Sequence, residues 1–272
     1  MDISHGIDPT ESQRNNRSYG KFPFFCSVNK SITKAAISSI EFKVIMLARD
    51  LNRMNIVAEE CEAKYKPVPI VIDLRNSVSV EQAFAKIKED FGYIDILCAV
   101  AGVFLNKSPI SEQLDSEWNN VVETNLTGVM RCLRSSWPLF RKGASIVTVG
   151  SVLGQMSQPE VGAYAVSKAG LAALTRTIAS EGAEREIRAN LIIPGMVKTP
   201  INQKMAEASG NTEKWWRERL SSIPLRRAAE PEEIAEAICW LSLEHSGFIT
   251  GAELRMDGGV LLGPLPDFGE NN

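Results

Sequence analysis

A tyrosine and a lysine four positions apart are the first residues in this sequence whose types and spacing suggest chemistry. Tyr164 and Lys168 lie in the segment AYAVSKAG, which has a helical pattern. Residues at i and i+4 share one face of a helix, so the phenol and the ammonium would point the same way. A cation near a phenol favours the phenolate and lowers its pKa from about 10. The pair could therefore exchange a proton with an alcohol or a carbonyl, although most such pairs are a packed ring beside a solvated lysine.

A serine upstream of this pair makes the chemical interpretation stronger. Ser151 directly follows the apolar run SIVTVG, which is typical of a buried strand. Open α/β sheets bind their ligands at the carboxyl ends of parallel strands. A hydroxyl at such a position can donate to a carbonyl oxygen on which negative charge develops. Alone, the same serine would be interpreted as a turn or cap residue.

The elements that hold these side chains alternate along the chain. We predict strands over 43–48, 67–73, 94–100, 145–150, 189–194 and 252–256, and helices over 51–65, 78–91, 116–139, 163–184 and 231–243. Most of these strands are apolar throughout, as strands covered on both faces are. The alternation predicts an α/β fold: a Rossmann-like, doubly wound parallel sheet of about seven strands with helices on both faces, in three layers. We expect a flexible tail over 1–20, a single domain over 21–263 and a loose end over 264–272.

Composition and charge narrow the class of protein. The 272 residues are 44% hydrophobic, and 30 basic residues against 33 acidic ones give a net charge of −3. This balance argues against a nucleic-acid partner and against a basic membrane-docking face. No apolar run of about 18 residues or secretory signal is present, so we expect a cytoplasmic protein. The five cysteines lack CxxC spacing and there are only two histidines, so we predict no metal site.

Several motifs together resemble one known family. They are SIVTVGSVLG, AYAVSKAG, IIPGMVKTP, PEEIAEAICWLS and ITGAELRMDGG. With these motifs, the stretch from about 42 to 260 resembles the short-chain dehydrogenase/reductase family, especially its 3-oxoacyl-carrier-protein-reductase-like branch. The resemblance implies that Ser151 orients a substrate carbonyl and that Tyr164 is the acid/base. It also implies that Lys168 lowers the tyrosine pKa and binds the nicotinamide ribose, and that Asn125, in ETNLTG, holds a proton-relay water.

Further residues would bind the cofactor if the resemblance holds. Asp73 ends the strand VID, where family members contact the adenine. Pro194 and Gly195 match the loop that covers the nicotinamide, and Thr199 matches the residue that holds its carboxamide. Without the resemblance, Asp73 and Gly195 would equally be turn residues.

Cofactor choice can be inferred from the residues after the second strand. NAD-preferring relatives place an acidic residue there, which bonds the ribose 2′-OH. Here the position is Ala48, followed by Arg49. A guanidinium suits a 2′-phosphate, so we predict NADP(H) over NAD(H). The alternative for Arg49 is a solvated loop residue.

The N-terminal part departs from the family pattern. The family has a TGxxxGxG-like run whose backbone N–H groups approach the pyrophosphate, whereas no glycine lies between Gly20 and Gly92 here. Three explanations compete: weak cofactor binding, lost catalysis and a faulty gene model over residues 1–40.

A second departure from the family pattern is the segment CAVAGV, where relatives have NNAG. Ala101 and Gly102 still permit close approach to the adenosine ribose.

The segment 201–227 lies where the family carries its substrate lid. Trp215 and Trp216 could line an apolar pocket or pack the lid onto the body, and Gly210 could be a hinge.

We predict an NADP(H)-dependent ketoreductase that interconverts a carbonyl and a secondary alcohol on a small or medium hydrophobic substrate, in specialised (secondary) metabolism or acyl-chain reduction. The resemblance also implies a homotetramer or homodimer. The alternative is a catalytically impaired subunit that keeps the fold for a structural or partner role.

Overall fold

The fold is built on one parallel sheet. The computed structural model describes residues 23–26, 43–61, 65–156 and 158–263. Seven strands pair in the order β3-β2-β1-β4-β5-β6-β7, and every pairing is parallel. In chain order they are β1 (Pro23–Cys26), β2 (Ile45–Ala48), β3 (Val68–Val71), β4 (Ile94–Ala99), β5 (Phe140–Val149), β6 (Arg188–Pro194) and β7 (Glu253–Met256). The predicted doubly wound parallel sheet is confirmed.

Helices cover both faces of this sheet. In chain order they are α1 (Leu51–Glu60), α2 (Ser77–Phe91), α3 (Asp115–Val122), α4 (Gly128–Ser136), α5 (Gly162–Gly182), α6 (Pro200–Ala208), α7 (Thr212–Ser221) and α8 (Pro231–Ser242). One core cluster holds apolar residues of α2, α4 and α5, and a second holds those of α1 and α8. Successive strand residues alternate between the clusters, because side chains along a strand point to opposite faces. In β4, for example, Leu97 belongs to the first cluster and Cys98 to the second.

The strand order reverses at the centre of the sheet. β1 pairs with β2 on one side and with β4 on the other, so the chain winds outward in one direction and then in the other. This reversal creates a crevice beyond the carboxyl ends of the central strands, where α/β sheets of this type bind ligands. Ser151 follows β5 at this edge.

Some predicted boundaries were wrong. The helix predicted over 51–65 ends at Glu60, and the strand predicted over 145–150 begins at Phe140. The helix predicted over 116–139 is interrupted by a π-helical turn, Glu123–Thr127, and ends in a 3₁₀ turn, Trp137–Leu139. The π turn buries Thr124 and Asn125 and thereby turns a polar side chain inward.

The segment predicted as a substrate lid contains α6 and α7. Gly210 joins them with a φ of +77°, a left-handed conformation that favours glycine and suits a sharp reversal. The predicted tails (1–20 and 264–272) and residues 27–42 of the stretch without glycine lie outside the described residues. Within the described part of the chain, no helix is long and apolar enough to cross a membrane.

Candidate active site

A cavity of about 560 Å³ opens at the carboxyl ends of the central strands. Val100 follows β4, Gly150 follows β5 and Pro194 ends β6, and all three line the cavity. The lid helices α6 and α7 form the opposite wall through residues such as Met205 and Trp215. The cavity therefore lies in the crevice that the strand order creates, and the lid closes one side of it.

Ser151 and Tyr164 meet in this cavity. Ser151 begins a 3₁₀ turn in which its Oγ accepts from the backbone N–H of Leu153 at 3.2 Å. Burial raises the pKa of the Tyr164 phenol, and a smaller hydrogen-bonding effect of Ser151 opposes this rise. The Tyr164 ring packs edge-on against Phe104, with ring centroids 5.0 Å apart. The phenol thus stays protonated at neutral pH.

Lys168 lies one helical turn from Tyr164 and is almost completely buried. Only 4% of it is exposed, and its Nζ donates to the carbonyl of Val149 at 2.8 Å. Burial lowers the pKa of Lys168 to about 8, because a low-dielectric surrounding disfavours the ammonium. Its Nζ lies 5.8 Å from the centroid of the Tyr164 ring, so the shared helical face predicted from the spacing is present.

The predicted effect of Lys168 on Tyr164 is not found. The sequence predicts that the ammonium lowers the phenol pKa, whereas the pKa of Tyr164 is raised because its desolvation dominates. The lysine bonds the β5 carbonyl instead of the phenol oxygen. Burial depends on tertiary packing. The spacing of the two residues therefore could not show that desolvation would determine the pKa of Tyr164.

Asn125 anchors the loop after β4 to the π turn. Its Oδ1 accepts from the backbone N–H of Val103 at 2.7 Å, and its Nδ2 donates to the Val103 carbonyl at 3.0 Å. Nδ2 also donates to Ser167 Oγ at 3.2 Å, and the Ser167 hydroxyl donates to the Tyr164 carbonyl at 2.7 Å. The side chain therefore fixes the backbone on both sides of the cavity, and its role in a proton relay stays a prediction.

The glycines predicted to approach a cofactor lie at tight positions. A Cβ on Gly102 would come within 3.2 Å of Lys168 Nζ, and one on Gly195 within 2.9 Å of Asp257 Cα. Gly102, Pro194, Gly195 and Thr199 all line the cavity. Thr199 also caps α6, because its Oγ1 accepts from the backbone N–H of Asn202 at 3.4 Å.

Four predicted cofactor residues are not among the residues that line the cavity, namely Arg49, Asp73, Ala101 and the completely buried Asn125. Arg49 is exposed, and Ala101 is buried behind the wall. The Asp73 carboxylate accepts from Arg75 Nη2 at 3.0 Å and Nε at 3.2 Å, and this partner lowers the pKa of Asp73. The structure thus groups Ser151, Tyr164 and Lys168 more closely than the adenine-side candidates.

Sequence reasoning missed several basic residues in the cavity wall, namely Arg53, Lys107, Lys204 and Arg219. Arg53 lies four positions after Arg49, near the start of α1, and this spacing could have indicated it. The other residues are far apart in the sequence, so only the fold brings them together. Trp215 is 7% exposed and lines the cavity, whereas Trp216 is half-buried and contacts it edge-on at 5.0 Å.

Comparisons with known proteins agree on one family. A family profile described as enoyl-(acyl carrier protein) reductase matches residues 34–261. The chain is 32% identical over 222 residues to the 3-oxoacyl-[acyl-carrier-protein] reductase FabG of Thermotoga maritima, covering 80% of this chain and 87% of the relative. It is 33% identical over 198 residues to the short chain dehydrogenase/reductase astE of Aspergillus oryzae, covering 71% and 74%.

A solved structure supports the same conclusion. The ligand-free aldohexose dehydrogenase of Thermoplasma acidophilum superimposes with a TM-score of 0.82 at 26% identity, covering 92% of this chain and 97% of that one. The fold and the site define an oxidoreductase of the dinucleotide-binding α/β class. The chain belongs to the short-chain dehydrogenase/reductase family, in its 3-oxoacyl-carrier-protein-reductase-like branch. Members of this family bind a nicotinamide cofactor and a small-molecule substrate.

Proposed function

We propose that this protein is an NADP(H)-dependent oxidoreductase that interconverts a carbonyl and a secondary alcohol on a small or medium, largely hydrophobic substrate. The observation that carries this proposal is the placement of Ser151, Tyr164 and the buried Lys168 in the wall of one cavity, with Lys168 one helical turn from Tyr164. The two side chains Ser151 and Tyr164 would give a substrate oxygen two hydroxyl partners. Acyl-chain reduction is the setting that the name of the Thermotoga relative suggests, and specialised metabolism is the alternative setting that we propose.

The chemistry of the proposed site follows from the states of its side chains. In the reductive direction, the protonated Tyr164 phenol donates its proton to the carbonyl oxygen of the substrate. Ser151 donates a hydrogen bond to the same oxygen and stabilises the charge that develops on it. When bound, the nicotinamide cofactor supplies the hydride. Lys168 holds its ammonium one helical turn from the phenol, where it donates to the Val149 carbonyl, and Asn125 keeps the wall of the site in place.

The residues of the cavity fit such a cofactor. Gly102 leaves open the space that a side chain would fill next to Lys168 Nζ. We propose that Lys168 binds the nicotinamide ribose, that Pro194 and Gly195 cover the nicotinamide and that Thr199 holds its carboxamide. The predicted adenine-side residues are Asp73, Ala101 and Gly102. The other residues predicted to bind the cofactor are Arg49, Asn125 and Tyr164.

NADP(H) preference is supported by the charges near the end of β2. Ala48 offers no carboxylate to a ribose 2′-OH, and Arg49 and Arg53 carry guanidinium groups on either side of the α1 start. A guanidinium fork suits the 2′-phosphate. Replacing both arginines with glutamine should weaken NADPH binding more than NADH binding in a fluorescence titration, and equal weakening would contradict the preference.

The proposed catalytic role of Tyr164 is tested by removing one oxygen atom. Tyr164→Phe keeps the ring against Phe104 but removes the proton donor, so ketone reduction should fall about 10²–10⁴-fold. The measurement is NADPH oxidation across a panel of ketones, with Tyr65→Phe, an exposed tyrosine outside the cavity wall, as the matched control. Equal rates in wild type and Tyr164→Phe would refute the assignment.

A second candidate function is a catalytically impaired subunit that keeps the fold for assembly with an active partner. It is favoured by the lack of glycine between Gly20 and Gly92, where relatives bind the pyrophosphate. This candidate predicts stable oligomers with no measurable NADPH binding. A titration that gives tight binding would exclude it in its strong form.

We also propose a cytoplasmic homodimer or homotetramer. The exposed Val166 on α5 and the edge position of β7 support contacts between copies, on the elements that the resemblance indicates. Closed symmetry is the usual arrangement for such contacts.

A further inference from the structure

The cavity wall is basic in a chain that is acidic overall. Arg53, Lys107, Lys204 and Arg219 line the cavity together with Lys168, and none of the described lining residues is an aspartate or a glutamate. The whole chain carries a net charge of −3, so this distribution is not a consequence of composition. A pocket with basic side chains and no acidic ones favours a negatively charged ligand.

Basic residues elsewhere on the surface are often neutralised by acidic neighbours. Arg227 bonds Glu233 at 2.7 Å, for example, and Lys142 bonds Glu186 at 2.8 Å. Among the described residues, no carboxylate lies within 4.0 Å of the side-chain nitrogens of Lys107, Lys204 or Arg219. These three basic groups are therefore not held in ion pairs within the described part of the chain.

Arg219 is held in a fixed orientation. Its guanidinium carbon lies 3.7 Å from the centroid of the buried Trp215 ring, and its Nη1 donates to the Trp215 carbonyl at 3.3 Å. Burial lowers the pKa of Arg219 but leaves the group charged at neutral pH. A guanidinium stacked on an aromatic face loses less freedom on binding, and its remaining N–H groups can donate to an oxyanion.

Apolar residues also line the cavity that Arg219 shares with the proposed catalytic hydroxyls. Met196, Met205 and Ile223 belong to this wall. Methionine side chains adapt to chains of different shape. A ligand that fits the cavity would therefore combine a carbonyl, an apolar middle and an anionic end.

We infer that the substrate carries an oxyanion, a carboxylate or a phosphate, remote from its reacting carbonyl and bound by Arg219 of the lid. The inference rests on the proposed function and adds the class of substrate to it. Lys204 and Lys107 raise the positive potential at the cavity without fixing the orientation of the anion, since both side chains are exposed.

The test compares straight-chain oxo acids of increasing length with their neutral methyl esters. Wild type should prefer the acid over the ester in kcat/KM at one or more chain lengths. Arg219→Gln should reduce this acid-to-ester preference roughly tenfold to a hundredfold, because a charge-assisted hydrogen bond is lost. Arg219→Lys should restore part of the preference. A phosphate-bearing analogue in the same series distinguishes the two oxyanions.

Arg217→Gln is the matched control. It removes the same charge from the same helix, but Arg217 pairs with Glu213 at 3.9 Å and does not line the cavity. The inference is overturned if wild type treats acid and ester alike, if both glutamine variants change the preference equally, or if Arg219→Gln changes only the KM for the cofactor.

A binding measurement separates this inference from the proposed function. Calorimetric titration of the longest oxo acid and its ester needs no turnover. Acid binding that is weakened by Arg219→Gln upholds the oxyanion site even if no variant reduces any carbonyl, in which case the proposed function fails alone. Equal binding of acid and ester overturns the oxyanion site whether or not reduction occurs.

Discussion

Burial changes the chemistry of single side chains in this protein. An ordinary lysine titrates near 10.5, whereas burial lowers the pKa of Lys168 to about 8. Between these two values the unfolded chain binds more protons at this residue than the folded chain, so its contribution to stability rises with pH. At neutral pH the buried ammonium costs roughly 3 kcal/mol, since each pKa unit corresponds to about 1.4 kcal/mol. The site therefore keeps this charge at the expense of stability.

Lys168→Met tests that cost directly. Removal of the buried charge should raise the free energy of unfolding at pH 7 by about 1–3 kcal/mol, after allowance for the lost hydrogen bond to Val149. Because the penalty disappears as pH rises from about 8 to above 10.5, the difference from wild type should shrink across this window. Urea unfolding at pH 7 and at high pH measures it.

The control for this experiment is Lys214→Met, which removes an exposed lysine. It should change stability little at either pH. A Lys168→Met protein that is less stable than wild type at pH 7 would show that the ammonium is stabilising and would contradict the argument.

Among the elements, the π turn between α3 and α4 has the clearest effect on the site. Without it, the helix predicted over 116–139 would be continuous. Regular helical geometry alone would not direct the Asn125 side chain to the loop after β4. The turn buries Asn125 completely and lets its amide bond both backbone groups of Val103. The next residue after the turn, Gly128, packs directly on Leu74, so the turn and α4 lie close to the loop after β3.

Gly128→Ala tests how tightly this element is packed. A Cβ at Gly128 would lie 2.6 Å from the Leu74 Cβ and 2.9 Å from the Glu123 carbonyl oxygen, so the backbone must move. The substitution should lower the free energy of unfolding by about 1–3 kcal/mol. Denaturant unfolding measures the loss, and ketone reduction should fall as Asn125 shifts.

Gly170→Ala on α5 is the matched control. Its new Cβ would meet Leu126 Cδ2 at 2.7 Å, the far end of a flexible side chain that can rotate away. Helix propensity also favours alanine by about 1 kcal/mol, so the net change should be small. If both glycine variants lose the same stability, packing against Leu74 is not the cause.

The sequence predicted those elements whose cause is local. Apolar runs such as SIVTVG mark strands covered on both faces, and the sheet and its helices follow from their alternation. The interruption at Asn125 was not predictable, because it depends on a hydrogen bond to Val103, a residue 22 positions away. Helical periodicity contains no information about such a contact.

The same limit applies to the candidate site. Spacing and resemblance brought Ser151, Tyr164 and Lys168 together, and the structure has all three in one cavity. The raised pKa of Tyr164 was missed because the sequence does not report desolvation. Arg219 was missed because its place in the wall depends on the packing of α7, and no local motif marks it.

At the scale of the whole molecule, β1 joins the two halves of the sheet. Its main chain pairs Phe24 with Ile45 of β2 on one side and with Leu97 of β4 on the other. β2 and β3 are bonded to the remaining strands only through β1 in the sheet order. Pro23, which lacks an N–H donor, stands at the first position of the strand, where proline is tolerated.

Truncation separates the role of β1 from that of the predicted tail. Deletion of residues 1–20 keeps β1 and should leave the urea midpoint unchanged. Deletion of residues 1–26 removes the central strand and exposes two strand edges, so the protein should be unfolded or aggregated. Far-UV circular dichroism and size-exclusion chromatography measure both. A cooperative transition at the wild-type midpoint after deletion of 1–26 would show that β1 is dispensable.

The uneven distribution of charge around the cavity has a kinetic consequence. A negatively charged body repels anions from most of its exterior, while a concave basic mouth concentrates field lines and attracts them. Encounter of an anionic reactant with the enzyme is then guided before any contact forms. Such guidance weakens as dissolved salt shortens the range of electrostatic forces, to about 10 Å at 0.1 M. Ionic strength would therefore control how fast the enzyme captures its reactant more strongly than how fast it transforms it.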